Sequence, residues 1–216
     1  MPPGKAPKPI SPKTQSRRER EFHAQIGRTM AGWASAETML STWFERLTQM
    51  HPLVARRVFY SQLGTYASLQ MLRAVLSVVV PVPDIREFLR AVVNKTQQYS
   101  ETRNLIAHGD VLFVAVPGSR YYGQMLIMRG RDAWLVDPDT TDVLTLENLR
   151  TADVNFRRLS FCLTVSLNWD GKDPKKSPDR FLPLVKQLPN PAHSRVLDPT
   201  IVEQFQIDEL ELSHWR

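Results

Sequence analysis

The sequence predicts a mainly α-helical bundle with a small antiparallel β-meander inserted before the last core helix. Three observations lead there. Apolar residues recur at steps of three and four over four long stretches. Between about residues 110 and 145 that period gives way to short apolar runs, and proline or glycine stands at nearly every change of period.

The first helix is expected from about Arg17 to Met50, where Ile26, Met30, Trp33, Leu40, Phe44 and Leu47 form one stripe with Glu37 in its single gap; Pro52 ends it. Between Ser61 and Val80, Leu69, Leu72, Leu76 and Val79 repeat the helical step, and Pro81 with Pro83 stops a second helix. A third opens at Asp84 as N-cap. Its stripe runs Ile85, Phe88, Leu89, Val92, Thr96, Tyr99, Arg103 and Ile106, which assigns an arginine to the core side. After Gly109, the runs Val111 to Val116, Tyr121 to Met128 and Ala133 to Val136 are separated by Pro117-Gly118, Gly130 and Pro138-Asp139, the pattern of a meander. Thr145 is placed to cap a fourth helix with Leu149, Ala152, Phe156, Leu159, Leu163 and Leu167 on one face. From Gly171 to Pro199 six prolines fall in 29 residues, which predicts an extended strap or linker. The period of Ile201 to Trp215 decides neither helix nor strand.

At 216 residues with 42% apolar content, the chain is long enough for one sizeable core. The expected organisation is a disordered tail over 1–16, a helical domain over 17–170 with the meander at about 110–145, and a Pro-rich extension over 171–216. Of the net charge of +6, residues 1–20 supply +5, with six basic side chains against Glu19 alone. The basic balance is thus mostly a property of the amino-terminal segment, whose residues 1–16 are read as a solvating extension with an RNA-attracting arm as the alternative. Composition by itself predicts no basic surface on the folded part. A lone Cys162 excludes an intramolecular disulfide, and no run approaches the roughly 18 apolar residues of a membrane span. A soluble cytoplasmic protein with no membrane partner is expected.

Chemistry concentrates where the third helix ends, in Glu101-Thr-Arg-Asn-Leu-Ile-Ala-His-Gly109. A permanently charged guanidinium holds a phosphate bidentately, and an imidazole, titrating near pH ~6.5 in model peptides, moves a proton. Together they suit phosphodiester chemistry that needs no metal. The other histidines, His23, His51, His193 and His214, lack metal-ligand spacing, and no phosphate loop, nucleophile elbow or dinucleotide fingerprint is present, so no cofactor or metal is expected. Trp33, Trp43, Tyr66 and Tyr99 are spaced as core residues, which makes base stacking the less favoured use of each.

The run Arg103-Asn104-Leu105-Ile106-Ala107-His108-Gly109 resembles the R-x4-H motif of the HEPN family (higher eukaryotes and prokaryotes nucleotide-binding), including its polar second position. The resemblance covers roughly Ile26 to Trp169. It implies an antiparallel helical bundle, a homodimer whose two motifs meet in a cleft, and cutting of RNA through attack of its own 2′-hydroxyl. By the same resemblance His108 is general acid or base, Arg103 holds the scissile phosphate and Asn104 orients either one. The toxin members that work with a minimal nucleotidyltransferase antitoxin carry a tyrosine two residues after the histidine. Here that residue is Asp110, which disfavours that antitoxin as the partner and leaves any protein partner open.

Two other readings of the motif stay open. Histidine followed by glycine is also a good helix C-cap, with Arg103 simply paired to Glu101 or Glu37. A catalytically inactive descendant that binds RNA, nucleotide or another protein is the second. Glu37, on an apolar stripe, requires a cationic or hydrogen-bonding partner. Arg103 is the expected one, either in catalytic support or as neutralisation. Five residues at roughly 100° each separate Arg103 from His108 by roughly 140° on an ideal helix, so a left-handed turn at Gly109 is expected to bring the two together.

Overall fold

A computed structural model describes residues 10–79, 83–116, 119–128, 143–168 and 177–188. Within these residues the chain forms a mainly helical bundle with a three-stranded antiparallel meander. Helix α1 spans Pro12–Thr48, α2 Pro52–Tyr60, α3 Thr65–Val78 and α4 Pro83–His108. Strands β1 (Asp110–Phe113), β2 (Met125–Met128) and β3 (Val143–Leu144) follow, then α5 (Leu146–Leu167) and α6 (Pro178–Gln187).

The start of α1 corrects the expected tail. Ser11 accepts a hydrogen bond from the Thr14 N–H at 3.2 Å, and Pro12 occupies the first turn, where its missing N–H costs nothing. Residues 12–16 are therefore helical. Arg18, one of the basic residues near the amino terminus, donates to the Gly123 carbonyl, and the Ile10 side chain lies where a Cβ on Gly123 would project. Gly123 also has φ 76°, so the turn before β2 requires glycine twice over.

Long helices α1 and α5 form the principal contact of the bundle. Gly32 lets them approach: a Cβ there would stand 3.4 Å from the Phe156 Cβ and 3.2 Å from Asp153 Oδ1. The fully buried Phe156 ring lies 5.1 Å from Trp33 of α1 and 5.5 Å from Tyr99 of α4, tying three helices at one point. Trp43 Nε1 donates to the Leu163 carbonyl at 3.1 Å, and Thr29 Oγ1 to the Leu149 carbonyl at 3.0 Å. Thr145 caps α5 as expected, within a reciprocal box completed by Asn148.

Helix α2 was not expected. Pro52, taken as a stop, also starts a helix at its first position, and only Ala55 and Phe59 of α2 are buried. Two apolar anchors in nine residues are too few for a period to show. In α4, Asp84 lies inside the helix rather than at its cap, because the helix begins at Pro83. The buried stripe of α4 runs through Tyr99, Thr102 and Ile106, whereas Arg103 is only partly buried. The expected stripe holds at Phe88, Leu89, Val92, Thr96, Tyr99 and Ile106, but near its end Thr102 is buried and the arginine lies at the margin of the core.

The meander pairs Asp110 with Met128 through Phe113 with Met125, and Ile127 with Leu144. Tyr121 to Gly123 form a turn instead of the start of a strand, and the expected third strand at Ala133 to Val136 lies outside the described residues. The strap is corrected in part: residues 178–187 are a helix that buries Phe181, Leu184 and Val185, with Leu188 beyond it, against α4 and α5. Pro178 starts it, and the exposed Pro183 sits within it, which is why proline density misled. Two helices, not one, thus follow the meander. Lys95 Nζ donates to the Leu188 carbonyl at 2.6 Å, closing the end of α6, although partial burial holds the ammonium pKa below its ordinary value. The C-terminal segment 201–215 lies outside the described residues.

The chain turns straight from α4 into the sheet at Gly109, whose N–H donates to the Leu105 carbonyl at 2.8 Å. Its φ is not positive, so the expected left-handed cap is absent. Glycine is required there for contact: a Cβ would lie 2.5 Å from the Leu105 oxygen and 2.9 Å from the Met128 oxygen, and would strike Ile127. Two of these neighbours are backbone, so they cannot turn aside. Gly109→Ala is expected to destabilise the fold by about 1–3 kcal/mol or more, the usual cost of overpacking, read as a lower denaturation midpoint. An unchanged midpoint would mean that β2 does not press on the end of α4.

Candidate nucleic-acid cleft

The last turns of α4 form one wall of an open cleft of about 610 Å³, and the α2–α3 loop with the first turn of α3 forms the other. Ser100, Arg103, Asn104, Leu105, His108 and Gly109 line the first wall; Leu63, Gly64, Thr65 and Tyr66 line the second. The volume falls within the ~300–1,000 Å³ common for ligand pockets. Gly64, with φ 93°, turns the loop into α3 as its N-cap.

The three expected motif residues, Arg103, Asn104 and His108, all line this cleft. Arg103 Nη1 donates to Asn104 Oδ1 at 3.0 Å, while its buried Nε has no partner. A guanidinium carries five N–H donors, so most remain available to an anion. His108 is the last residue of α4; its side chain is exposed and makes no hydrogen bond or ion pair among the described residues. Burial pushes the Tyr99 phenol well above its ordinary pKa, with the Arg158 charge pulling less strongly the other way, so one turn below Arg103 the core offers no phenolate.

Glu37 corrects a pairing. Its carboxylate accepts from Thr65 Oγ1 at 3.0 Å and makes no ion pair with Arg103. Nor does Glu101 pair with the guanidinium, whose hydrogen bond goes to Asn104. Arg103, at the core margin, lines the cleft, and the Glu37 carboxylate is taken by the first residue of α3 instead. Glu37 is joined to the cleft through Thr65, whose hydroxyl donates a hydrogen bond to it.

Tyr66 is the residue that sequence reasoning missed. Trp33, Trp43 and Tyr99 are buried as expected, but Tyr66 is 60% exposed and Leu63 is 99% exposed, both at the cleft. The signal was local: Gly64 directly before Thr65-Tyr66 marks a helix start, and a residue in a first turn need not follow the stripe of the turns behind it. No group of three or more His, Cys, Asp or Glu gathers into a metal-binding arrangement among the described residues, and no helix among them is long and apolar enough to cross a membrane.

No protein-family model matches the chain, and neither a curated protein nor a solved structure is measurably similar to it.

The hydrogen bonding of Glu37 sets a test by double-mutant cycles. Glu37→Ala and Arg103→Ala should be additive in unfolding free energy within about 0.5 kcal/mol, while Glu37→Ala and Thr65→Val should depart from additivity by about 0.5 kcal/mol or more. Coupling in the first cycle and none in the second would restore the ion pair and remove the Thr65 contact.

Proposed function

We propose that this protein is a metal-independent RNA endonuclease of the HEPN type. One observation carries the reading: Arg103, Asn104 and His108 line one open cleft, with the imidazole exposed and the guanidinium free of any carboxylate. An arginine kept for structural neutralisation would face an acid. A histidine serving only as a cap would bond the end of its helix, and His108 does neither.

In this reading Arg103 holds the scissile phosphate and stabilises the charge that grows on its oxygens, with Asn104 steadying the guanidinium. His108, unprotonated, takes the proton of the ribose 2′-hydroxyl. The 2′-oxygen attacks phosphorus, the bond to the 5′-oxygen breaks, and that oxygen leaves with a proton supplied by a second acid. The products are a 2′,3′-cyclic phosphate and a 5′-hydroxyl. A single chain offers one histidine for two proton transfers, which favours a symmetric homodimer in which a second copy completes the cleft. The exposed apolar side chains Leu53 and Val54 of α2 and Leu63 beside the cleft agree with a covered face.

General acid-base groups contribute roughly 10²- to 10⁴-fold in rate, so His108→Ala is expected to lower RNA cleavage at least about 100-fold with its melting temperature preserved. Cleavage should persist in EDTA, leave DNA intact and yield 2′,3′-cyclic phosphate ends. If purified protein cuts no RNA in EDTA, or His108→Ala cuts as well as the parent, the activity is absent. Retained RNA binding by an inactive parent would then mark the cleft as a binding site only.

A further inference from the structure

We infer that Tyr66 is the base-binding residue of the cleft, stacking on the base of an unpaired nucleotide whose phosphate Arg103 holds. This rests on the reading of the cleft as an RNA site and adds what that reading lacks, a means of holding the base. Arg103 and His108 account for a phosphate and a ribose hydroxyl, and nothing in that pair distinguishes one kind of RNA from another. The opposite wall does. Tyr66, 60% exposed, lines the same cleft, as does the fully exposed Leu63. An exposed aromatic and a guanidinium lining one open cleft are the pair of groups by which single strands are held, the ring on the base and the cation on the backbone. A paired base is stacked within its helix and offers only its edge, so a duplex cannot use this wall.

The experiment measures fluorescence anisotropy of a labelled 2′-O-methyl oligoadenylate, which lacks the free hydroxyl and cannot be cut, against the same strand annealed to its complement. The parent should bind the single strand more tightly than the duplex. Tyr66→Ala should weaken single-strand binding roughly 5- to 150-fold, while Tyr66→Phe, which keeps the ring, retains most of the affinity. Circular dichroism confirms the fold of each variant, and the duplex comparison needs only the parent. Equal binding of duplex and single strand overturns the inference, as does a folded Tyr66→Ala variant that binds like the parent. If that parent still cleaves ordinary RNA, only the base contact falls. A parent that neither binds nor cleaves RNA removes the RNA reading and this inference together.

Discussion

The Phe156 ring holds the three longest helices in a fixed relation, and the orientation of everything at the cleft follows from it. Its contacts to Trp33 and Tyr99 are edge and tilted ring packings with no solvent between, worth more than their buried area alone. Because Tyr99 is the α4 member of this cluster, the cluster sets how α4 is rotated about its own axis. Thr102 and Ile106 then continue the buried side, and Arg103 emerges at its border. A rotation by one residue would have buried the guanidinium, and a buried arginine demands a carboxylate. Core packing thus decides that the charge at residue 103 is available to a ligand.

The same packing explains the hydrogen bonding of Glu37. A carboxylate on the inward side of α1 needs a donor, and the nearest element over that part of α1 is the beginning of α3, which supplies the Thr65 hydroxyl. Neutral pairing keeps the acid from cancelling the cation of Arg103, whose guanidinium answers only to Asn104. The separation has an electrostatic result: one wall of the cleft carries a positive charge with unused donors, while the other carries the uncharged Thr65 and Tyr66. Positive potential in a concave site is strengthened by its low-dielectric walls.

Long periodic stretches were legible in the sequence because each buries a whole face: α1, α3, α4 and α5 all lie where the three-and-four spacing puts them, and Thr145 caps α5 through its own side chain. What escaped was structure whose signal is weak or contradictory. Helix α2 buries two residues, and α6 carries a proline inside it. The motif residues were recognised by chemistry, and the cleft that unites them was not, since its second wall comes from a segment about forty residues earlier in the chain. Spacing put Tyr66 with the core residues, three positions before Leu69, whereas the buried side of α3 begins at Ser68 and Leu69. The role of Gly109 was misjudged for a related reason. Its need for a missing Cβ is imposed by β2, a tertiary neighbour, and not by its own dihedral angles.

How Arg103 and His108 serve one cleft, despite lying roughly 140° apart around a helix, follows from the other residues on the same flank. Taking Tyr99 as zero, steps of roughly 100° per residue put Arg103 near 40°, Ser100 near 100°, Asn104 near 140° and His108 near 180°. These are the α4 residues that line the cleft on that flank, so the cleft spans the whole arc and does not sit on one narrow face. No left-handed turn is needed to swing the imidazole inward. The entry into α3, turned by Gly64 and held to α1 through Thr65 and Glu37, supplies the facing wall that makes the arc concave. Arg103 therefore sits at the inner margin, where the core steadies its stem, and His108 at the outer lip, open to solvent. On the proposed reading, a cation fixed at depth and an imidazole at the rim is the order in which an anionic strand entering from solvent would meet its phosphate contact last and its proton acceptor first.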